Sequence, residues 1–306
     1  MLSMRNTSMG ILLALIGSLL FSTKAVFVKL AYIHEVDSIS LLLLRMGFAL
    51  PFYLVALVLK RSILRVKWVT IPGKYWRALI LAAILGYYLS SFLDFLGLQY
   101  VDASVERLIL FIYPTFIALL SFLLFRNRIS RLQWLALSLS YVGLIMVFGV
   151  NLGELSFDNE FWKGAILILL CALSFALFLV LSQWLIPRFG VPVFTSLSMS
   201  IACFFVIGHF SAIHSWEGIT EHASPVYWYA FAMATLATVL PSYIVNYAIK
   251  QIGALRAAIV AGVGPISTIT LAYFLLGERL DWWQLGGALM IIVGVTVVSV
   301  EMKKKG

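Results

Sequence analysis

The sequence predicts an all-α membrane protein of ten transmembrane helices, arranged as two inverted repeats of five helices each. Three observations lead to this prediction. The chain is 62% hydrophobic and only 11% charged, it contains ten apolar stretches of spanning length, and its two halves match at a nearly constant offset. Because a soluble domain carries about 25% charged residues, the expected solvent is a bilayer. The composition therefore argues against a soluble enzyme and against a nucleic-acid-binding protein.

Each apolar stretch is long enough to cross about 30 Å of hydrocarbon as a helix. Backbone groups inside hydrocarbon must hydrogen-bond to one another, which favours helix throughout. The first stretch is too long for the apolar core of a signal peptide and lacks a cleavage pattern, so we expect it to remain as a span. The ten predicted spans are 9–31, 38–59, 75–98, 103–125, 131–149, 162–186, 192–214, 225–249, 254–276 and 282–300.

The basic residues predict the orientation of these spans. With the N-terminus inside, the inner segments hold 16 of the 22 Lys and Arg residues, and the outer segments hold only Lys163 and Arg279. Ten of the 13 acidic residues lie in outer segments. This is the positive-inside pattern of a multi-pass protein of the cytoplasmic (inner) membrane with both termini in the cytoplasm. The net charge of +9 then reflects topology rather than affinity for nucleic acid.

An internal repeat relates residues 1–150 to residues 160–306. At an offset of 151 the uncommon matches are Pro114/Pro265, Arg128/Arg279, Gln133/Gln284 and Gly143/Gly294, and at 154 they include Phe21/Phe175. Each half has five spans, so the two copies must be inverted relative to each other. Inverted repeats with a substrate site near the midplane are typical of alternating-access transporters, although duplication alone can build any helical bundle.

Ionisable side chains within the spans of the first half are the main site candidates: Lys24, Arg45, Asp94, Glu106 and Arg107. The threading places all five in the outer half of the membrane, with Lys24 roughly 5–6 Å from the midplane. Each costs about 2.5–3.5 kcal/mol in hydrocarbon and indicates function by default. Lys24 and Arg107 together with Asp94 and Glu106 carry no net charge, so ion pairing among these four would offset much of the desolvation cost. Arg45 has three open alternatives: snorkelling to the interface, a structural bond to Asp94, or a direct role.

Further candidates come from helix geometry. Tyr113 is seven residues from Glu106, hence predicted on the same helix face. It precedes Pro114, which with Pro241 and Pro265 predicts helix kinks that form gates, cavity walls or ordinary packing bends. Neutral polar residues could line a path or hydrogen-bond helices together. These secondary cavity candidates are Tyr87, Ser91, Thr238, Ser242, Asn246, Ser267 and Thr268.

Motifs for catalysis are missing from the sequence. It contains no His-Glu-x-x-His, no Gly-x-Ser-x-Gly and no P-loop, so we expect neither an enzyme nor a cofactor. The four histidines are scattered, and Cys171 and Cys203 lie singly in apolar stretches. We therefore expect no metal site.

The chain resembles the EamA-type branch of the drug/metabolite transporter superfamily over nearly its whole length. The segments that carry the resemblance are 21–32 (FSTKAVFVKLAY), 91–99 (SFLDFLGLQ), 104–121 (SVERLILFIYPTFIALLS) and 264–280 (GPISTITLAYFLLGERL). The resemblance implies ten helices in two inverted repeats and a central cavity built mainly from helices 1, 3, 4, 6, 8 and 9. It also implies transport of amino acids, nucleotide-related metabolites or drugs, often as export. Residues 277–279 read Gly-Glu-Arg, as in the turn that the resemblance leads us to expect. The equivalent residues of the first half, 126–128, depart from it and read Arg-Asn-Arg.

These observations predict a secondary transporter, an exporter in the first instance, of a small polar or amphipathic metabolite such as an amino acid. Lys24 and Arg107 would neutralise a carboxylate, and Glu106 or Asp94 would carry a coupling proton. The expected partners are the substrate, membrane lipids and protons, and the oligomeric state stays open. The alternatives are an uptake permease or uniporter and, from another class, a non-transporting membrane scaffold. A cavity joining Lys24 to Glu106 would argue against the scaffold.

Overall fold

The structure is a computed structural model that describes residues 2–64, 71–126, 129–148, 158–264, 266 and 282–305. These residues form helices joined by short connections, and the described ranges contain no strand. Seven helical stretches are long and apolar enough to cross a membrane: Asn6–Tyr32, Ser38–Leu59, Gly73–Gly97, Val105–Phe125, Asn159–Phe189, Val191–Ile213 and Ser224–Ile252. The protein is therefore a multi-pass membrane protein. Three further apolar helices are shorter: Arg131–Val147, Ala254–Val263 and Leu285–Glu301.

The α-helices, numbered in chain order, agree in position with the predicted spans. They are α1 Leu2–Tyr32, α2 Ser38–Leu64, α3 Gly73–Ala83, α4 Ser90–Gly97, α5 Ala103–Leu110, α6 Tyr113–Phe125, α7 Arg131–Phe148, α8 Asn159–Phe189, α9 Val191–Ile213, α10 Ser224–Ala234, α11 Leu240–Ile252, α12 Ala254–Val260 and α13 Trp282–Lys305. The ninth predicted span, 254–276, continues beyond the described residues. The count of ten spans therefore stays a prediction.

Two of the helical stretches contain a π-helical turn at their middle. One turn, Ile84–Leu89, joins α3 to α4, and the other, Thr235–Val239, joins α10 to α11. The second lies directly before Pro241, where the sequence predicts a kink. Turns of this kind bend a helix and are frequent at functional sites.

The fourth predicted span, 103–125, corresponds to the spanning stretch Val105–Phe125 and is interrupted next to Pro114, where the sequence predicts a kink. The helix ends at Leu110, turns at Phe111 and Ile112, and restarts at Tyr113. The physical reason is Pro114, whose missing N–H cannot bond to the carbonyl of Leu110 one turn earlier. The prediction that Tyr113 shares one helix face with residue 106 does not survive this break, because the two residues belong to different helices.

Small residues allow close helix packing around the centre of the bundle. Helix α1 packs along α11, α2 along α9, and α7 along α13. Between α7 and α13, a Cβ atom added at Gly143 would lie 2.6 Å from the carbonyl oxygen of Gly287. Only glycine permits that approach. Gly86, in the first π turn, likewise makes room for the ring of Phe178, which a Cβ atom would meet at 2.1 Å.

Candidate functional site

The helices enclose a cavity whose non-atom space, including the part continuous with solvent, is about 1170 Å³. It lies between α1, α2, α8, α9 and the two helical stretches that contain a π turn, Gly73–Gly97 and Ser224–Ile252. Its polar and charged lining comprises Ser18, Ser22, Lys24, Arg45, Tyr87, Ser90, Ser91, Arg107, Tyr113 and Thr238. Most of the remaining lining is apolar: Ala14, Phe21, Leu110, Phe111, Phe175, Leu179, Met199, Val245, Ile249, Ala254, Ala257, Ala258 and Ala261. The composition suits a ligand with an apolar body and a few polar groups.

Lys24 and Asp94 form the first ion pair of the site. Nζ of Lys24, on α1, lies 2.7 Å from Oδ2 of Asp94, on α4, and the Asp94 side chain is 1% exposed. The lysine lines the cavity, whereas the aspartate lies behind it. Because the cavity contacts the cation and not the acid, a ligand meets a positive charge here.

Arg107 and Glu106, both on α5, form the second pair. Nε of Arg107 lies 3.2 Å from Oε2 of Glu106, and a terminal nitrogen of the guanidinium donates to the carbonyl of Phe21 at 3.3 Å. Arg107 lines the cavity, while Glu106 is fully buried outside the lining. The Glu106 carboxyl also lies close enough to Asp94 for the two acids to interact electrostatically.

Arg45, on α2, is arranged differently from the other two cations. Its guanidinium lies over the ring of Phe95, 4.9 Å from the ring centroid, and the residue is 3% exposed. Within the described residues it forms no ion pair with Asp94, and its Nε and Nη2 have no hydrogen-bond partner. Its burial between the helices argues against the snorkelling alternative, and a direct role of Arg45 stays a prediction. Arg45 thus lines the cavity with unused donors.

Aromatic rings form one wall of the cavity. Tyr113 contacts Phe111 and Phe175 with ring centroids 5.6 and 5.5 Å away, and Phe175 stacks on Phe178 at 6.0 Å. The Tyr113 hydroxyl points toward the carbonyl of Ala258 at 3.5 Å. This wall crosses from the first half of the chain to the second. It offers an adaptable apolar surface beside the three cations.

Neutral polar groups lie deeper in the bundle. Asn246 donates to the hydroxyl of Tyr87 at 3.3 Å and to Thr195 at 2.9 Å, and its Oδ1 has no hydrogen-bond partner among the described residues. Ser242 exchanges a hydrogen bond with Tyr53 at 2.9 Å. Neither Asn246 nor Ser242 lines the cavity, in contrast to the secondary candidates Tyr87, Ser91 and Thr238. Ser267, Thr268 and Pro265 lie outside the described residues.

Several lining residues escaped the sequence-based selection of candidates. Phe21 and Phe175 both line the cavity, and they are also a matched pair of the internal repeat at an offset of 154. Repeat-related aromatic residues are therefore a signal that could have identified the wall. Thr195 on α9 carries no comparable signal, because one threonine among apolar residues is ordinary.

Titratable side chains elsewhere form no second centre in the described residues. No group of three His, Cys, Asp or Glu side chains could hold a metal ion in these ranges. His214 lies 3.5 Å from Asp37, and His209 shares a hydrogen bond with Tyr88 at 3.1 Å. Both cysteines are buried and free.

Comparisons with known proteins give a consistent result. A family model, described as the EamA-like transporter family, matches residues 8–149 and 162–300. The chain is 32% identical to "Uncharacterized transporter YcbK" of Bacillus subtilis (strain 168), over 98% of this chain and 97% of that protein. It is 24% identical to "Uncharacterized transporter sll1319" of Synechocystis sp., over 96% and 94%. A crystal structure with 16% sequence identity shares the fold, with a TM-score of 0.77 over 97% of this chain and 98% of that one.

Proposed function

The chain belongs to the EamA-like transporter family, and we propose that it is a secondary transporter that exports a small metabolite bearing a carboxylate, such as an amino acid, by alternating access. The observation that carries the proposal is the cavity lined by Lys24, Arg45 and Arg107. Cations inside membrane helices are costly, and a substrate carboxylate would balance them. A non-transporting scaffold has no need of three cations facing a cavity.

The proposed architecture is ten spans in two inverted halves, residues 1–150 and 160–306. Two features support it. The π turns begin at Ile84 and Thr235, which are 151 residues apart, the same offset that aligns the sequence repeat. The break at Phe111 and Ile112 likewise corresponds to the 3₁₀ turn Ala261–Val263. Paired bends at equivalent positions are suited to two halves that rock about a central site.

We further propose that the protein lies in the cytoplasmic membrane with both termini inside. The support is the concentration of Lys and Arg in alternate connecting segments. Single cysteines placed at 151–157 should react with a membrane-impermeant maleimide in intact cells, while cysteines at 65–70 should react only after lysis. The opposite labelling pattern would reverse the orientation.

In the proposed binding step, the substrate carboxylate approaches Lys24 and Arg107 while its apolar part contacts the aromatic wall. The carboxylate would compete with Asp94 for Lys24, because both are anions within reach of one ammonium group. For proton-driven export, Asp94 or Glu106 would bind the coupling proton after the substrate has left and release it before the next substrate binds, so that proton and substrate move in opposite directions.

Proton-coupled uptake is the second candidate, and the 2.7 Å contact between Lys24 and Asp94 favours it. A proton on Asp94 would free Lys24 for the substrate, so that proton and substrate would bind together. Carriers that load both ligands together move them in the same direction. An inward proton gradient would then drive uptake rather than export.

The test is counterflow in proteoliposomes with a panel of radiolabelled amino acids and related carboxylates, with and without a pH step. We expect saturable exchange of at least one carboxylate, absent from protein-free vesicles. The direction of the pH effect separates export from uptake. Lys163→Ala is the matched control, because this lysine pairs with Glu160 on the surface, away from the cavity. If no carboxylate exchanges above protein-free vesicles, the proposal fails.

A further inference from the structure

We infer that the cavity selects an amphipathic substrate with a net negative charge, a carboxylate without an ammonium group, over the matching zwitterion and the matching amine. The inference rests on the proposed transport function and narrows its substrate class: among the carboxylates proposed above, it favours those without an ammonium group and replaces the amino acid as the first example. It depends on which charges face the cavity, which of them already have partners, and what an ammonium group would meet.

The charges facing the cavity are all of one sign. Lys24, Arg45 and Arg107 line it, and none of its described lining residues is acidic. Asp94 and Glu106 are buried behind the first and last of these cations. With both acids ionised, the three cations leave one positive charge in excess. A proton bound by either acid raises that excess to two. One bound monoanion would neutralise the first of these excesses and halve the second.

Arg45 is the cation with capacity for that anion. Lys24 and Arg107 each have a carboxylate within 2.7 and 3.2 Å. Arg45 instead rests on the ring of Phe95, and its Nε and Nη2 have no hydrogen-bond partner among the described residues. Asp94 is close enough to act on the charge of Arg45, but among the described residues no carboxylate oxygen lies within ion-pair distance of its guanidinium, whose planar fork matches the two oxygens of a carboxylate. The donors of Arg45 that have no partner therefore give a carboxylate a place to bind.

An ammonium group would find no carboxylate among the described residues that line this cavity. The described lining offers it hydroxyl groups, including those of Ser18 and Ser22, but no carboxylate. It would also stand close to three cations in a medium where charges interact strongly. The aromatic wall, by contrast, accepts an apolar body of either compound. The ammonium group thus makes the difference between a substrate and a poor ligand.

The experiment compares three probes that share a 2-phenylethyl group: 3-phenylpropanoate, phenylalanine and 2-phenylethylamine. Binding to the purified full-length protein in detergent is measured at pH 7.5 by isothermal titration calorimetry. We expect 3-phenylpropanoate to bind roughly tenfold or more tightly than phenylalanine, because the ammonium adds repulsion without a partner, and 2-phenylethylamine to show no binding. Arg45→Gln should reduce this preference to within about threefold, and Arg45→Lys should reduce it less, because the ammonium group keeps the charge but loses the planar fork.

Arg188→Gln is the matched control, because Arg188 also stacks on an aromatic ring, Tyr75, at 5.0 Å but lies outside the cavity. It should leave the preference unchanged. Equal or tighter binding of phenylalanine by the wild type would overturn the inference, as would binding of none of the probes or an Arg45→Gln variant with an unchanged preference. Transport of phenylalanine without binding of 3-phenylpropanoate would overturn the inference and leave the transport function standing. Binding of 3-phenylpropanoate without carboxylate exchange in proteoliposomes would support the inference and contradict the transport function.

Discussion

Arg107 and Ala258 occupy equivalent positions in the two halves of the chain, 151 residues apart, and both line the cavity. The first presents a guanidinium and the second a methyl group. Asp94 and Val245 show the same contrast at the same offset. The first half therefore supplies the three cations of the cavity and most of its neutral polar lining, while the second half supplies mainly apolar side chains together with Thr238.

This division has a consequence for movement between the halves. The ion pairs Lys24–Asp94 and Glu106–Arg107 lie within the first half, so a change in the relative position of the halves would leave them intact. Breaking a buried ion pair costs about 3–5 kcal/mol. The contacts that cross between the halves near the centre are neutral hydrogen bonds, such as Tyr53 to Ser242, worth about 0.5–1.5 kcal/mol each. During alternating access, a movement of one half against the other would break and re-form these weaker hydrogen bonds and leave the ion pairs in place.

The largest loss of transport is expected for substitutions in the first half of the chain, which carries the charges of the site. Lys24→Ala should reduce transport roughly 100-fold or more, because it leaves Asp94 buried without its cation at a cost of about 3–5 kcal/mol. Lys24→Arg should also impair transport, since the larger guanidinium cannot give up its proton. Initial rates in proteoliposomes, normalised to inserted protein, provide the measurement.

The double variant Lys24→Ala/Asp94→Ala separates folding from function in that experiment. Removing both partners should restore the yield of folded protein, because neither member of the Lys24–Asp94 pair is left buried without the other, while transport stays absent. Normal transport by both single Lys24 variants would show that this lysine only packs.

The second prediction concerns coupling within the charged half. Glu106→Gln or Asp94→Asn should still exchange substrate for substrate, because exchange requires only that the loaded carrier reorient. Net transport driven by a pH step should fall to the level of protein-free vesicles in whichever variant lacks the proton site. Both fluxes are measured in the same vesicle preparation. Wild-type flux that ignores the pH step would remove the proton role from both acids.

A smaller effect is expected in the neutral half. Asn246→Ala removes hydrogen bonds to Tyr87 and Thr195, so KM should rise about two- to tenfold, the equivalent of one or two neutral hydrogen bonds. Thr195→Val should have a similar but weaker effect, since it removes one of the same bonds. The pH dependence of transport should not change in either variant. A loss of transport in either variant as large as that expected for Lys24→Ala would contradict the proposed difference between the halves.

The smallest effect is expected at a contact that does join the halves through a charge. Asp37 accepts from the backbone N–H groups of Ile39 and Ser40 at the start of α2 and lies 3.5 Å from His214. Asp158 accepts one N–H, from Phe161, at the start of α8. Asp37→Ala should therefore lower thermal stability more than Asp158→Ala, with each cap worth about 1 kcal/mol. Thermal unfolding in detergent measures both, and equal losses would contradict the ranking.

The pH dependence of the Asp37 contribution follows from its pKa. Burial raises that pKa, but hydrogen bonds from Ser40 and Ile39 and the neighbouring His214 outweigh it and hold the pKa below its ordinary value of 3.8. A lowered pKa in the folded state stabilises the fold above pH 3.8, and the stabilisation is lost as the pH falls through the lower folded value. The difference between wild type and Asp37→Ala should therefore shrink below pH 3.8.

Much of the broad description follows from the sequence. The apolar stretches and their low charge identify a multi-pass membrane protein of helices, because hydrocarbon excludes exposed backbone groups. The motif segments identify the family. Pro114 and Pro241 anticipate two of the positions at which the helical stretches are interrupted. These features are local or periodic along the chain, and periodic features are visible without knowledge of tertiary contacts.

The arrangement of the site was decided by tertiary structure. The sequence places five ionisable residues at one depth, but it does not tell which of them face the cavity or that Arg45 stacks on Phe95 instead of pairing with Asp94. Nor does it reveal that the approach of Phe178 to Gly86 brings an aromatic wall to the cavity. Each outcome depends on how side chains from helices distant in the sequence fill a common space. The composition and periodicity of the sequence therefore identify the chain as a helical membrane protein. Packing between helices decides the sign of the charge that faces a substrate.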